Sequence, residues 1–316
     1  MNLQYVDSVR ESIRERFEAK KKAHPEKFER RLELSFSNWV FGLESLEEAV
    51  KRLAKYNVRY IELGGNYGGN DIGYQADVEG TKAILDKHGV QCSGICGFFG
   101  DSNALSTNNN FVRQTAVDYI RKEVAFCKAI GGTYMLVVPG TVGRSTAYDS
   151  SDYARSVLTL RSVADVFTEH GILCAVEPIN SAEVPICSTI ESVQQYIKDV
   201  NHPGVQHING DIFHMLCGER NIPEAILQAG SQLVNLHIED TNRLPLGNGM
   251  MDVDTIIRAL YLIDYNREGC FVTGEPLGPG RDSYAIMFGQ HSEDYKERLV
   301  AETVKVFRER EEAVLG

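Results

Sequence analysis

Basic charge is what this 316-residue chain is short of: Lys and Arg total 33 against 44 Asp and Glu, a formal net charge of -11. Binding driven by a phosphate backbone needs a basic surface, so this balance argues against nucleic acid as a partner. The chain also lacks a CxxC pair. Its seven cysteines are odd in number, scattered, and mostly set in apolar runs such as Ile172-Leu173-Cys174-Ala175-Val176. That pattern reads as buried free thiols in a reducing compartment. No run approaches the ~18 apolar residues of a membrane span, and residues 1–30 lack the apolar stretch of a signal peptide. A cytoplasmic protein with no membrane partner is expected. No linker or low-complexity segment divides the chain, and Ser37-Asn38-Trp39 after the first strand is not a glycine-rich phosphate turn. The last point counts against an open doubly wound sheet.

What is present is a repeat. Hydrophobic content of 43% and charged content of 24% provide for an ample core. Short β-branched runs read as strands at 32–36, 58–63, 90–95, 133–138, 172–177, 205–210, 233–238 and 270–274. Between them lie helical stretches at 45–56, 76–87, 111–130, 153–169, 189–200, 222–229, 252–263 and 293–311. In the first of these, Leu46, Ala49, Val50, Leu53 and Ala54 recur every three or four residues, as one buried helix face requires. Eight strands alternating with eight helices, the strands apolar on both faces, predict an α/β fold: a (β/α)8 TIM barrel over residues 31–316. Residues 1–30 form an N-terminal helical extension. Its Val6, Val9, Ile13 and Phe17 either lie against the barrel or a neighbouring subunit, or belong to a solvated leader.

In such a barrel the active site lies at the carboxyl ends of the strands. Strand five ends in Val176-Glu177-Pro178-Ile179-Asn180, and strand six runs into Gly210-Asp211-Ile212-Phe213-His214-Met215. Strand seven ends in His237-Ile238-Glu239-Asp240, with Arg243 just beyond, and strand eight ends in Gly274-Glu275-Pro276. Any one of these residues alone reads as a rim salt bridge. Three carboxylates converging in a small volume repel one another and are costly to desolvate unless a cation neutralises them. One imidazole with three carboxylates suits Mn2+, Mg2+ or Co2+.

These four segments carry a resemblance. The chain resembles the xylose-isomerase-like barrel superfamily, and within it the D-tagatose/D-psicose 3-epimerases and their sugar-isomerase relatives, most strongly over residues 175–278. The resemblance implies that Glu177, Asp211, His237 and Glu275 bind one divalent ion, Mn2+ before Mg2+ or Co2+. His214 and Arg243 would contact substrate oxygens, and Glu183 would position the carbonyl end. A cation bound to the carbonyl and neighbouring hydroxyl stabilises the enediolate formed when the proton beside a ketone is removed. Glu177 and Glu275 would then take and return that proton from opposite faces. Trp39 and Phe98, with Phe99, are placed to wall a sugar ring or aglycone, or to pack as an ordinary lid. The bland alternatives are that His214 ties down its loop and that Arg243 pairs with Asp240 at the surface.

Two departures bear on substrate identity. Asn180-Ser181-Ala182-Glu183 lacks the arginine often found after the fifth-strand glutamate, and Leu216-Cys217-Gly218-Glu219 follows His214-Met215. They leave room for a lyase resembling the catalytic subunit of C-glycoside deglycosidases, which acts on 3-keto glycosides with a small partner chain. An abasic-site nuclease is disfavoured, because strands two to four end in Glu62, Cys96 and Val138-Pro139 with no histidine. A metal-bearing carbohydrate-binding module would bind without turnover. The expected partners are a small-molecule sugar or keto-glycoside and further copies of the chain in a homo-oligomer. Beyond contacts from Arg243 or Arg281 the sequence offers no basic cradle for a phosphate, which favours unphosphorylated substrates.

Overall fold

Each strand hydrogen-bonds in parallel to the next, and the eighth returns to the first. In the computed structural model the sheet is a closed barrel in chain order. The structure describes residues 3–65, 73–279 and 283–316. The strands are β1 (Leu34–Ser37), β2 (Tyr60–Gly64), β3 (Gln91–Cys96), β4 (Tyr134–Val137), β5 (Leu173–Val176), β6 (His207–Asp211), β7 (Leu233–Ile238) and β8 (Phe271–Gly274). All eight lie where the sequence predicts. Most start a residue or two later, because ladder pairing with the neighbour and not hydropathy sets the first residue. The β8 end is fixed by close packing. Gly274 pairs beside Phe36, and a Cβ at Gly274 would come within 2.4 Å of the Phe36 ring. Only glycine therefore carries the chain past β1 into Glu275.

The outer helices follow the amphipathic pattern, with some boundaries moved by caps. The helix expected from residue 76 begins as Val78–His88 because the Asp77 side chain accepts from Gly80 N, and a capped amide is a preferred start. The single helix expected over 153–169 is two, Asp152–Val163 and Asp165–His170. The C-terminal helix Glu293–Leu315 runs four residues beyond its expected end. Among the described residues no helix is long and apolar enough to cross a membrane.

Leu3–Ala23 forms a helix that packs on Val253–Leu262. Ile13 and Phe17 are buried, and Phe17 meets the Phe28 ring edge-on at 5.2 Å. Burying such side chains contributes about 1.5–3 kcal/mol each. Arg10 pairs with Asp252 at 2.7 Å and Lys20 with Asp264 at 2.8 Å, tying the helix to the barrel at two points.

Strands apolar on both faces describe the outside of the barrel but not the whole of its interior. Ser35 and Ser93 hydroxyls meet at 2.8 Å, and Thr273 donates to Asn235 Oδ1 at 2.7 Å. Asn235 in turn donates to Asn209 Oδ1 at 2.7 Å. Every member of this layer is buried, so its mutual bonding is what makes it tolerable. It forms a polar floor directly under the strand ends.

Candidate active site

The four predicted ligands reach one place because each stands at or just past a strand end. Glu177 N continues the ladder by donating to Val137 O at 3.0 Å, and Glu275 N donates to Ile238 O at 3.2 Å. Asp211 ends β6 and caps the helix Ile212–Gly218 at once. Its Oδ1 accepts from Phe213 N at 2.7 Å and His214 N at 3.3 Å. That leaves Oδ2 near His214 Nε2 at 3.4 Å and Arg243 Nη2 at 3.5 Å. His237 stands in the middle. Its Nδ1 lies 3.6 Å from Glu177 Oε1 and 3.3 Å from Glu275 Oε2. Ligand atoms of Glu177, Asp211 and His237 all lie within 4.8 Å of one another, as do those of Glu62, His237 and Glu275.

Charge in this cluster is unbalanced. Glu62, Glu177, Asp211, Glu239 and Glu275 are all buried, against His237, His214 and Arg243. Burial first, then the charges of Asp211 and Glu62, push the Glu275 carboxyl well above the usual range, although His237 opposes them. Glu239 is raised well above it by burial and by Asp211. At Asp211 burial also acts upward, but His214, Arg243 and His237 together outweigh it and hold the group at about 2. Burial alone would depress His237; facing Glu275 and Glu62, it is raised well above its ordinary value. A divalent cation fits this donor set. It would neutralise carboxylates that protein cations leave in excess, and three oxygens with one imidazole nitrogen suit Mn2+, Mg2+ or Co2+.

Above the cluster is a cavity of about 240 Å³, into which Glu177, Asp211, His214, His237, Arg243 and Glu275 all project. Its upper wall is apolar, made by Trp39, Phe98, Phe99, Val138, Val142 and Phe288. Trp39 and Phe98 pack edge-to-face at 5.4 Å, and the Trp39 indole donates to Glu275 Oε1 at 3.1 Å. Arg243 is not a surface partner of Asp240. It is buried, has a positive φ of 57°, and lies 4.1 Å over the Phe213 ring. Asp240 instead binds its own loop, accepting from Thr241 N at 2.8 Å, Gly247 N at 2.9 Å and Met251 N at 3.0 Å. Short carboxylates favour such local backbone bonds.

Glu183 is half-buried and does not line the cavity. It accepts from Asn180 Nδ2 at 2.9 Å, and the same amide faces His214 Nδ1 at 2.8 Å. Asn180 Oδ1 accepts from Ala182 N at 3.1 Å, which fixes the amide's direction. His214 therefore accepts at Nδ1, which leaves Nε2 to face Asp211 Oδ2 at the cavity floor. Arg281 lies outside the described residues.

A xylose isomerase-like TIM barrel model matches residues 50–299. The chain belongs to that family. Among curated members, L-ribulose 3-epimerase of Methylomonas sp. (strain DH-1) is 27% identical over 200 residues, covering 61% of this chain and 67% of its own. The 3-dehydro-D-guloside 4-epimerase of Escherichia coli (strain K12) is 24% identical over 273 residues, covering 80% of this chain and 98% of its own. A D-allulose 3-epimerase from Methylomonas sp. superposes with a TM-score of 0.76 at 21% identity, covering 89% of this chain and 98% of that one. That likeness is one of fold.

Within this family member, sequence reasoning passed over Glu62, Asn180, Asn209 and Glu239 as parts of the site. Glu62 carried a signal: a lone carboxylate in the apolar strand Tyr60-Ile61-Glu62-Leu63. Asn209 donates to Glu177 Oε1 at 2.7 Å, but an asparagine within a short strand carries no sign in the sequence of what its amide meets. Glu239 Oε1 accepts from Phe213 N at 2.9 Å, bracing the turn after Asp211.

Proposed function

We propose that this protein is a divalent-metal-dependent sugar epimerase or isomerase that moves a proton at the carbon beside a ketone. One observation carries the reading: two glutamates from different strands, Glu177 and Glu275, flank one imidazole nitrogen at 3.6 and 3.3 Å on a cavity floor. Glu177, Asp211, His237 and Glu275 would hold the ion, with Mn2+ favoured. When bound, it supplies positive charge that lowers the cost of an enolate-type oxygen. Glu177 and Glu275 act as the acid/base pair, one removing the proton and the other returning it to the opposite face, which inverts the carbon. Return by the same group to the neighbouring carbon gives isomerisation instead.

The remaining residues bind and exclude water. His214 donates from Nε2 and Arg243 from its guanidinium to substrate oxygens, while Glu183 acts through Asn180. Trp39 and Phe98 cover the sugar, and a dry cavity strengthens each charge interaction beneath. The curated relatives are sugar epimerases by name, which supports the reaction class. Residues 31–316 are taken as the catalytic unit and residues 1–30 as its extension. Seven cysteines present as free thiols agree with a reducing cytoplasm.

The apolar upper wall supports a second reading. A free ketose offers hydroxyls along its length, whereas the charged groups here gather at one end of the cavity. A 3-keto glycoside would place its sugar on the floor and its aglycone against Phe98 and Phe288. The enolate would then expel the aglycone, making a lyase with a small partner subunit. The test is to load the protein with Mn2+ in D2O and supply a ketose panel and 3-keto glycosides. Deuterium beside the ketone in an inverted product supports the epimerase, and free aglycone supports the lyase. Turnover with no solvent deuterium, or full activity in verified metal-free protein, sinks the mechanism.

A further inference from the structure

Glu62 is fully buried yet does not line the cavity; it lies beneath it. From the middle of β2 its carboxylate reaches groups on two other strands. Tyr134 of β4 donates to Oε1 at 2.7 Å, and Asn235 of β7 donates to the same oxygen at 3.2 Å. His237 Nε2 sits 3.1 Å from both oxygens.

The histidine contact is the informative one. Nδ1 of the same ring faces Glu177 and Glu275 at the cavity floor. A neutral imidazole has one N–H, and the nitrogen that ligates must be the one without it. With both Glu62 oxygens 3.1 Å from Nε2, that nitrogen is the one placed to donate, and the Nδ1 lone pair is left toward the centre. We infer that Glu62 is the positioning residue of the metal centre, holding the tautomer and ring plane in which His237 ligates through Nδ1. This rests on the reading of His237 as a metal ligand.

The surroundings show why a carboxylate is tolerated so deep. A buried carboxylate is costly unless its oxygens are hydrogen-bonded, and Tyr134 and Asn235 supply those donors. The Asn235 amide is itself oriented, since its Oδ1 accepts from Thr273 while its Nδ2 serves Glu62 and Asn209. Asn209 then donates to Glu177 Oε1. One connected layer thus reaches two proposed ligands from below.

The test compares full-length wild type, E62Q, E62L and Y134F, each checked by thermal unfolding in the metal-free state. Mn2+ dissociation constants are measured by calorimetry. Imidazole 15N shifts are recorded on Zn2+-loaded, histidine-labelled protein, with H237N assigning the His237 signal. Loss of such a partner typically weakens metal binding by about 10–100-fold, and E62L should fall in that range. E62Q keeps an acceptor oxygen and should be intermediate; Y134F, which only loosens Glu62, should lose a few-fold. Wild-type His237 should show a protonated Nε2 and a ligated Nδ1, and E62L should lose that pattern. If E62L does not fold, E62Q and Y134F carry the test. Wild-type Mn2+ affinity in the folded variants, or ligation through Nε2, overturns the assignment. A wild type that binds no divalent cation defeats the metal reading itself, and this inference with it.

Discussion

The two halves of the barrel rim differ in kind. β5 to β8 end in Glu177, Asp211, His237 and Glu275, whereas β1, β3 and β4 run out into Trp39, Phe98, Phe99 and Val138. One half concentrates charge within hydrogen-bonding distance; the other presents hydrocarbon. The two demands conflict locally. Charged groups need partners and proton mobility, while a wall that excludes water must have few polar atoms. Separating them onto opposite arcs lets one cavity meet both. Side-chain links cross the divide, among them the Trp39 indole to Glu275 from above and Glu62 to His237 and Asn235 from below.

The comparison breaks most sharply if the charged half is not where chemistry occurs. Stripping divalent metal with chelator should abolish turnover, and Mn2+ should restore it, as read by ketose chromatography. E275Q or E177Q should lower kcat by about 10²–10⁴-fold, the usual worth of a positioned acid or base. Sugar binding by calorimetry should stay within a few-fold, and an E275Q enzyme with near-normal kcat would mean the proton moves elsewhere.

W39F probes the upper link. It keeps the wall but removes a hydrogen bond to a carboxylate, worth about 1.5–3 kcal/mol, so kcat should fall roughly ten-fold or more. F98L, nearly volume-conserving, should cost under about 1.5 kcal/mol of stability and raise KM more than it lowers kcat. Equal effects from the two substitutions would erase the distinction between wall and link.

The smallest effect concerns a region that belongs to neither half. Burial raises Asp264, but hydrogen bonds from Lys20 and Lys27 outweigh it and hold the group below its ordinary value. Asp252 is held down against burial by Arg10 and Thr255. Depressed carboxylates contribute stability above their unfolded values, near 3.9 for Asp, and lose it as pH falls through the folded ones. Docking of Leu3–Ala23 should therefore weaken below about pH 4, by about 0.2–1 kcal/mol per exposed pair. Hydrogen exchange of that helix against pH measures it, and protection that rises on acidification would contradict the assignment.

Much of this was legible in the chain. The alternation of short apolar runs with amphipathic stretches contained the barrel, since a covered parallel strand must be apolar and a one-sided helix must repeat every three or four residues. Reading strand ends in order led to Glu177, Asp211, His237 and Glu275, because closure brings strand ends together whatever their separation in sequence. Arg243 and Glu183 show where that reasoning stops. Whether Arg243 meets Asp240 or Asp211 depends on a positive φ inside a loop, and whether Glu183 reaches the cavity depends on the turn after Pro178.

Local order along the chain determined the element types, the sequence of the barrel and the side chains delivered to its rim, because hydrophobic periodicity and strand polarity are properties of neighbouring residues. Tertiary structure alone decided which nitrogen of His237 faces the cluster, that Glu62 supports it from 175 residues away, and that Asn180 directs His214. Those outcomes depend on distances of about 3 Å between residues on different strands and turns, and such distances exist only once the barrel has closed.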